Sequence, residues 1–267
     1  MFILKRITSH LLIVLAIFKI YLKLLGTKPI KNYVLVTAAD KSHYRSLMQL
    51  LQSVTNHLPA STTIIYDLGL SKSQSLELKE RFPQFQVRIF DYSQYPTFFN
   101  IELDAGSYAW KPTIISSVCN EFSLPVIWMD AGNVVTGSLK FERRVMKRYG
   151  VFTTVTSGTI EQWTHHSTLE YLGQKELGRR RELNGACVGF NNLNPLGWRI
   201  LNDWASLALI KECIAPSGSN RDNHRQDQAV LSILIQSNKT LRKLYSKVDK
   251  LNWPGHLLGY KIHCDID

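Results

Sequence analysis

A chain of 267 residues is long enough for one large α/β domain and too short for two comfortable ones. With 45% hydrophobic residues it can bury a real core, which excludes a globally disordered protein. The formal net charge of +11 is uneven, because Lys5, Arg6, Lys19, Lys23, Lys28 and Lys31 all precede the first acidic residue, Asp40; the body carries no dense basic and aromatic stripe, so no nucleic-acid partner is expected.

Residues 7–25 read ITSHLLIVLAIFKIYLKLL. The strictly apolar run, Leu11 to Phe18, is too short to cross a bilayer, but the longer stretch reaches the roughly 20 residues that a span needs. Lys19 and Lys23 can snorkel to the interface, and Lys5 and Arg6 favour a cytoplasmic N-terminus. No small-residue cleavage site follows. The expectation is a membrane-associated, single-pass protein (Golgi in a eukaryote, inner membrane in a bacterium). Residues 1–30 would be anchor and linker, and 31–267 the folded domain. A helix packed on the domain itself satisfies the same pattern.

From Tyr33 the pattern alternates strand and helix. Strands are predicted at Tyr33–Thr37, Thr62–Tyr66, Val87–Phe90 and Pro125–Met129. Helices are predicted over 42–57, from the N-cap Ser71 through Arg81, and over Trp110–Phe122 with Pro112 in its first turn. Lys140, Arg143, Arg144, Lys147 and Arg148 read as a solvated helix face. Further on, VFTTVT (151–156) and ACVGF (186–190) suggest strands, and 195–210 and 227–236 suggest helices. Cys119, Cys187, Cys213 and Cys264 form no CxxC pair, which argues against a structural zinc site. The order implies one α/β domain with a mainly parallel central sheet flanked by helices, plus the N-terminal hydrophobic helix.

Ligands of such sheets bind at the carboxyl ends of the strands, and Asp40, Asp67 and Asp130 sit at three such ends. The phosphate-binding glycine patterns GxGxxG and GxxxxGK[ST] are absent, as are GxSxG and HExxH. A diphosphate must then be held another way, and a divalent cation on one or two carboxylates can do so. Asp130, in Trp128-Met129-Asp130-Ala131-Gly132-Asn133, is the best candidate ligand, with Gly132 allowing close backbone approach to phosphate.

That WMDAGN segment resembles the DxD region of GT-A fold glycosyltransferases. Ile65-Tyr66-Asp67-Leu68-Gly69-Leu70, Tyr108-Ala109-Trp110-Lys111-Pro112 and Arg225-Gln226-Asp227-Gln228 follow an uncharacterised glycosyltransferase-like family in the same order. The resemblance implies a GT-A-like domain moving a sugar from a nucleotide-sugar donor to a glycan, protein or lipid acceptor, with retention of configuration and help from Mn²⁺ or Mg²⁺. It implies that Thr37, Ala38 and Asp67 line the base and ribose, and that Trp110, Lys111, Gly132 and Gln228 meet the donor. Asp227 would face the reacting sugar, and Asp130 would hold the metal. The usual second aspartate is Gly132 here, and a histidine near the C-terminus, His256 or else His263, would complete the metal shell. Trp163, His165 and His166 fall where acceptor loops vary, and Trp163 could stack on a sugar ring. Two other readings fit the same sheet: a nucleotidyltransferase, and a non-catalytic nucleotide-sugar-binding membrane protein.

Overall fold

The computed structural model describes residues 18, 20–248 and 257–266. Six strands form the central sheet, in the order β3-β2-β1-β4-β9-β6. They are β1 (Val34–Ala39), β2 (Thr62–Asp67), β3 (Gln86–Ile89), β4 (Val126–Met129), β6 (Val151–Phe152) and β9 (Cys187–Phe190). The first four run parallel, with Val36 opposite Ile64 on one side and Trp128 on the other. β9 runs antiparallel to both β4 and β6. This is the mainly parallel sheet that the sequence pattern implied.

β1 is buried along its whole length, as a strand covered on both faces must be. The helix Tyr44–His57 packs Leu47, Leu50, Leu51 and Val54 into the interior, and Trp110–Phe122 does the same with Ile114, Ile115, Val118 and Cys119. Each such side chain contributes roughly 1.5–3 kcal/mol on leaving water. Ser71 caps the helix Lys72–Arg81 through a capping box, its Oγ accepting from Gln74 N while Gln74 Oε1 accepts from Ser71 N.

The second half departs from the sequence reading. The stretch 151–156 is not one strand. Val151–Phe152 joins the main sheet as β6, whereas β7 (Val155–Thr159) pairs with β8 (Arg181–Leu183) in a separate ribbon. Thr153 makes the switch: its N–H meets Tyr245 Oη and its Oγ1 donates to Asn184 O. A further ribbon joins β5 (Val134–Val135) to β10 (Tyr260–Lys261), bringing residues 257–266 back under the end of β4.

No helix among the described residues is long and apolar enough to cross a membrane. Most of the apolar run proposed as an anchor lies outside the described residues. From Ile20 onward the helix packs on the domain, with Ile20 and Leu24 in the main core while Leu22 and Leu25 stay exposed. The basic helix Lys140–Tyr149 contributes to this junction instead of presenting only a solvated face. Arg143 Nη1 donates to Ile30 O at 2.7 Å, Arg144 Nε donates to Thr27 O at 3.1 Å, and Phe141 lies 6.2 Å from the Tyr21 ring.

Candidate active site

A cavity of about 470 Å³ opens at the carboxyl ends of β1 and β4. β1 delivers Ala38, Ala39 and then Asp40, whose Oδ1 accepts from Ser42 N, Ser42 Oγ and His43 N and lies 2.7 Å from His43 Nδ1. Burial opposes ionisation of Asp40, but the bonds from His43 and Ser42 hold it well below the usual carboxylate range. The same pairing raises His43.

β4 ends at Asp130, whose side chain is 37% exposed and lines the cavity. Its backbone N–H bonds Ala186 O on β9's approach. Trp128 Nε1 at 2.6 Å and Lys111 Nζ at 2.9 Å both meet Oδ1. Oδ2 has no hydrogen bond or ion pair among the described residues. Asn133, buried behind it, donates Nδ2 to Ala186 O at 2.7 Å and so ties the Asp130–Asn133 turn to the same carbonyl.

Lys111 is 3% exposed, and its ammonium lies between Asp130 Oδ1 at 2.9 Å and Asp227 Oδ2 at 3.3 Å, with Gly185 O at 3.4 Å. Burial would lower its pKa, but the Asp130 and Asp227 carboxylates outweigh burial and keep it protonated. Asp227 is pushed up to about 6 by burial, with Lys111 pulling it down and Asp130 pushing it up. The ammonium belongs more to Asp130, which is nearer, so Asp227 is incompletely compensated. Asp227 Oδ2 keeps the ion-pair distance without an aligned hydrogen bond. Asp227 does not cap its helix, Gln226–Ser237; the N-cap is Arg225, and no side chain caps it. Gln228 is held at both ends, Oε1 accepting from Gly185 N at 3.0 Å and Nε2 facing Glu182 Oε1 at 3.4 Å.

The wall before Lys111 is built under strain. Asp104, Ala105, Gly106, Ser107 and Tyr108 have φ from 48° to 61°. A left-handed turn costs roughly 1–2 kcal/mol per non-glycine residue, so its surroundings must hold it. Trp110 Nε1 donates to Ala105 O at 3.0 Å, and Gln226 Nε2 donates to Asp104 Oδ2 at 3.1 Å. Gly106 has no room for a side chain: a Cβ there would meet Trp110 Cδ1 at 2.9 Å.

The structure brings together Ala38, Trp110, Lys111, Asp130, Gly132, Trp163, Asp227 and Gln228 on one cavity. It does not bring Thr37, Asp67, His165 or His166 there. Successive strand residues face opposite sides, and Thr37 is fully buried while Ala38 lines the cavity. Asp67 shapes the turn after β2, with Oδ1 accepting from Gly69 N and Leu70 N at 2.8 and 2.7 Å, and Leu68 reaches the cavity in its place. His165 caps the short helix His166–Tyr171, its ring 4.2 Å from that of His166. Trp163 carries the Arg225 guanidinium 4.2 Å from its ring centre, and Arg221 lies over Tyr108. His256 lies outside the described residues, whereas His263 lines the cavity. The space beside Gly132 is not left open to a phosphate, because the Asp265 carboxylate occupies it.

His43, Arg221 and Asp265 also line the site and were not singled out from the sequence. His43 carried a local signal, a histidine three residues after a strand-end aspartate. Asp265 carried none, because its place depends on the β5–β10 ribbon.

A family model described as "Protein of unknown function (DUF1647)" matches residues 19–116. No curated protein matches the sequence at a significant level. Among solved structures, the galactosyltransferase LgtC in complex with donor and acceptor sugar analogues superposes with a TM-score of 0.51 at 14% identity, covering 86% of this chain and 87% of that one. Mouse xyloside xylosyltransferase 1 gives 0.48 at 11% identity, with 86% and 97% covered. The bifunctional glycosyltransferase WbbM gives 0.46 at 14%, with 76% and 37% covered. The last two scores are too low to carry an argument. The first, at 14% identity, shows the fold alone: a GT-A-like arrangement.

Proposed function

We propose that this chain is a glycosyltransferase that binds a nucleotide-sugar in the cavity at the carboxyl ends of β1 and β4 and passes the sugar to an acceptor. One observation carries the reading: a buried ammonium, Lys111, joins a half-exposed carboxylate, Asp130, to a buried one, Asp227, on one cavity wall. A buried charge triad is costly to assemble and gives little net stability, so its place on an open cavity points to chemistry.

In this reading Ala38, Ala39 and Leu68 form the apolar floor for the base. Lys111 fixes the Asp130 and Asp227 side chains by charge attraction, and holds both in place before substrate arrives. Asp227 is the carboxylate nearest the reacting sugar, and Gln228 is locked beside it. The Trp163–Arg225 stack lies on the wall where an acceptor would enter.

A divalent cation, Mn²⁺ or Mg²⁺, is part of the proposal. Among the described residues no three His, Cys, Asp or Glu side chains converge closely enough to hold an ion by themselves. The donor set still fits such a group: hard cations in sites of this kind rest on one or two carboxylates and take their other oxygens from phosphates and water, and Asp130 Oδ2 has no partner among the described residues. When bound, the ion would neutralise charge on the departing diphosphate. Membrane association through the N-terminal residues also belongs to the proposal, supported by the apolar run at 7–25 and the flanking Lys5 and Arg6.

The test is donor turnover by Asp130→Asn. Asparagine keeps the shape and can still accept from Trp128 Nε1, so the fold should hold while turnover falls by at least about 1,000-fold. A folded variant that hydrolyses or transfers nucleotide-sugar at the parental rate removes the site.

A further inference from the structure

Where a metal-binding DxD segment would have its second aspartate, this chain has Gly132. The missing side chain leaves no void. A Cβ built on Gly132 would meet Asp265 Cγ at 2.5 Å and Oδ2 at 2.6 Å, with Oδ1 nearer still. A carboxylate from 133 positions further along the chain therefore occupies the space that an aspartate at 132 would fill.

Asp265 is held there from both sides. Cys264 N donates to Gly132 O at 2.8 Å, and Ile266 N donates to Ser46 Oγ at 2.9 Å. Upstream, the β5–β10 ribbon and the bond from Gly259 N to Glu142 Oε1 anchor the same segment. The backbone is fixed and the carboxylate is left free: among the described residues it has no hydrogen bond and no ion pair. It faces the cavity together with Asp130, whose Oδ2 likewise has no partner among the described residues. Both charges act on His43, but the His43 Nδ1 is already held by Asp40. Two carboxylates directed at one space repel each other unless a cation joins them.

We propose that Asp265 is the second carboxylate of a divalent-cation site, completing with Asp130 the pair that the Gly132 position lacks. The inference rests on the transferase reading for the identity of the ligand, but it concerns binding and not turnover. The remaining coordination positions belong to water and to the donor diphosphate, which suits a Mg²⁺- or Mn²⁺-type ion. It follows that residues 257–266 must be docked for the site to exist.

The experiment is Mn²⁺ titration of the full chain followed by electron paramagnetic resonance, alone and with uridine diphosphate. Asp265→Asn, an isosteric change at an exposed side chain, should leave the melting temperature unchanged. It should weaken Mn²⁺ binding on the order of tenfold or more, as should Asp130→Asn. Gly132→Asp combined with Asp265→Gly moves the carboxylate to the other chain segment and should restore affinity to within about threefold of the parent. Unchanged Mn²⁺ affinity in Asp265→Asn overturns the proposal, and so does absence of Mn²⁺ binding by the parent or failure of the exchange to restore it. Turnover separates the two claims. Mn²⁺ binding that follows these expectations, in a protein inactive on every nucleotide-sugar, would remove the transferase reading and keep the site.

Discussion

The four parallel strands and the segments that follow them contribute to the cavity in different ways. β1 and β4 present Ala38, Ala39, Asp40 and Asp130 by register, each at a strand end, and Asp40 is fixed by its near neighbours Ser42 and His43. The later segments bring Gly185, Asp227, Gln228 and Asp265 by long-range packing. Lys111 reaches across 116 residues to Asp227, and Ile266 reaches across 220 to Ser46. The first half is a frame whose geometry follows from its sheet. The second half is an assembly whose geometry exists only once the chain has folded onto that frame. A lesion in the frame away from the strand ends should therefore be felt as stability alone, and a lesion across the seam as stability and site together.

The strongest way to break this contrast is Lys111→Met. It leaves Asp227 buried without a counter-charge and should cost about 4 kcal/mol in denaturant unfolding. Lys111→Met with Asp227→Asn should recover more than half of that, because the stranded charge is gone. A single-variant loss under about 1 kcal/mol would show that the seam holds little energy.

The next effect lies at the root of the C-terminal segment. Glu142 is fully buried and accepts from Gly259 N, and burial pushes its carboxyl up to about 7 from its ordinary value of about 4.5. The folded state thus binds the proton more tightly than the unfolded chain. Its contribution is fully present below the unfolded pKa of about 4.5 and is lost as pH rises through about 7, a total of about 3 kcal/mol. Glu142→Gln should flatten the fall in unfolding free energy between pH 5 and 8. An identical slope in parent and variant would rule the group out. The smallest effect belongs to the frame: Ser71→Ala removes one partner of the capping box and should cost about 1 kcal/mol, with no change in Mn²⁺ binding. A change in binding would mean that frame and seam are coupled more tightly than their contacts suggest.

The same contrast governs what could be read from the sequence. Short buried runs such as TTIIY and PVIWM, and helices with a cap and a period such as 71–81, declare themselves locally, so β1 to β4 and their helices fall within a residue or two of expectation. Asp130 was legible as a strand-end carboxylate beside a glycine. Thr37 and Asp67 lie off the cavity wall, because pattern locates a strand end without fixing which residue there turns to the cavity or folds back as a turn. The 151–156 run misled because its β-branched and aromatic residues continue while Thr153 hands the chain from one sheet to another. Asp265 was beyond reach, since its neighbour Gly132 is set by a two-residue ribbon with no periodic signature.

The junction at Arg143 and Arg144 has a mechanical consequence. These two guanidiniums clasp the carbonyls of Ile30 and Thr27 while Leu24 sits in the core, so residues 20–30 act as a bracket and not as a leash. Residues 20–30 therefore turn with the sheet, and the mouth of the cavity keeps one orientation relative to this bracket. In the transferase reading an acceptor has to come to the mouth, because residues 20–30 give the domain no slack with which to reach for it.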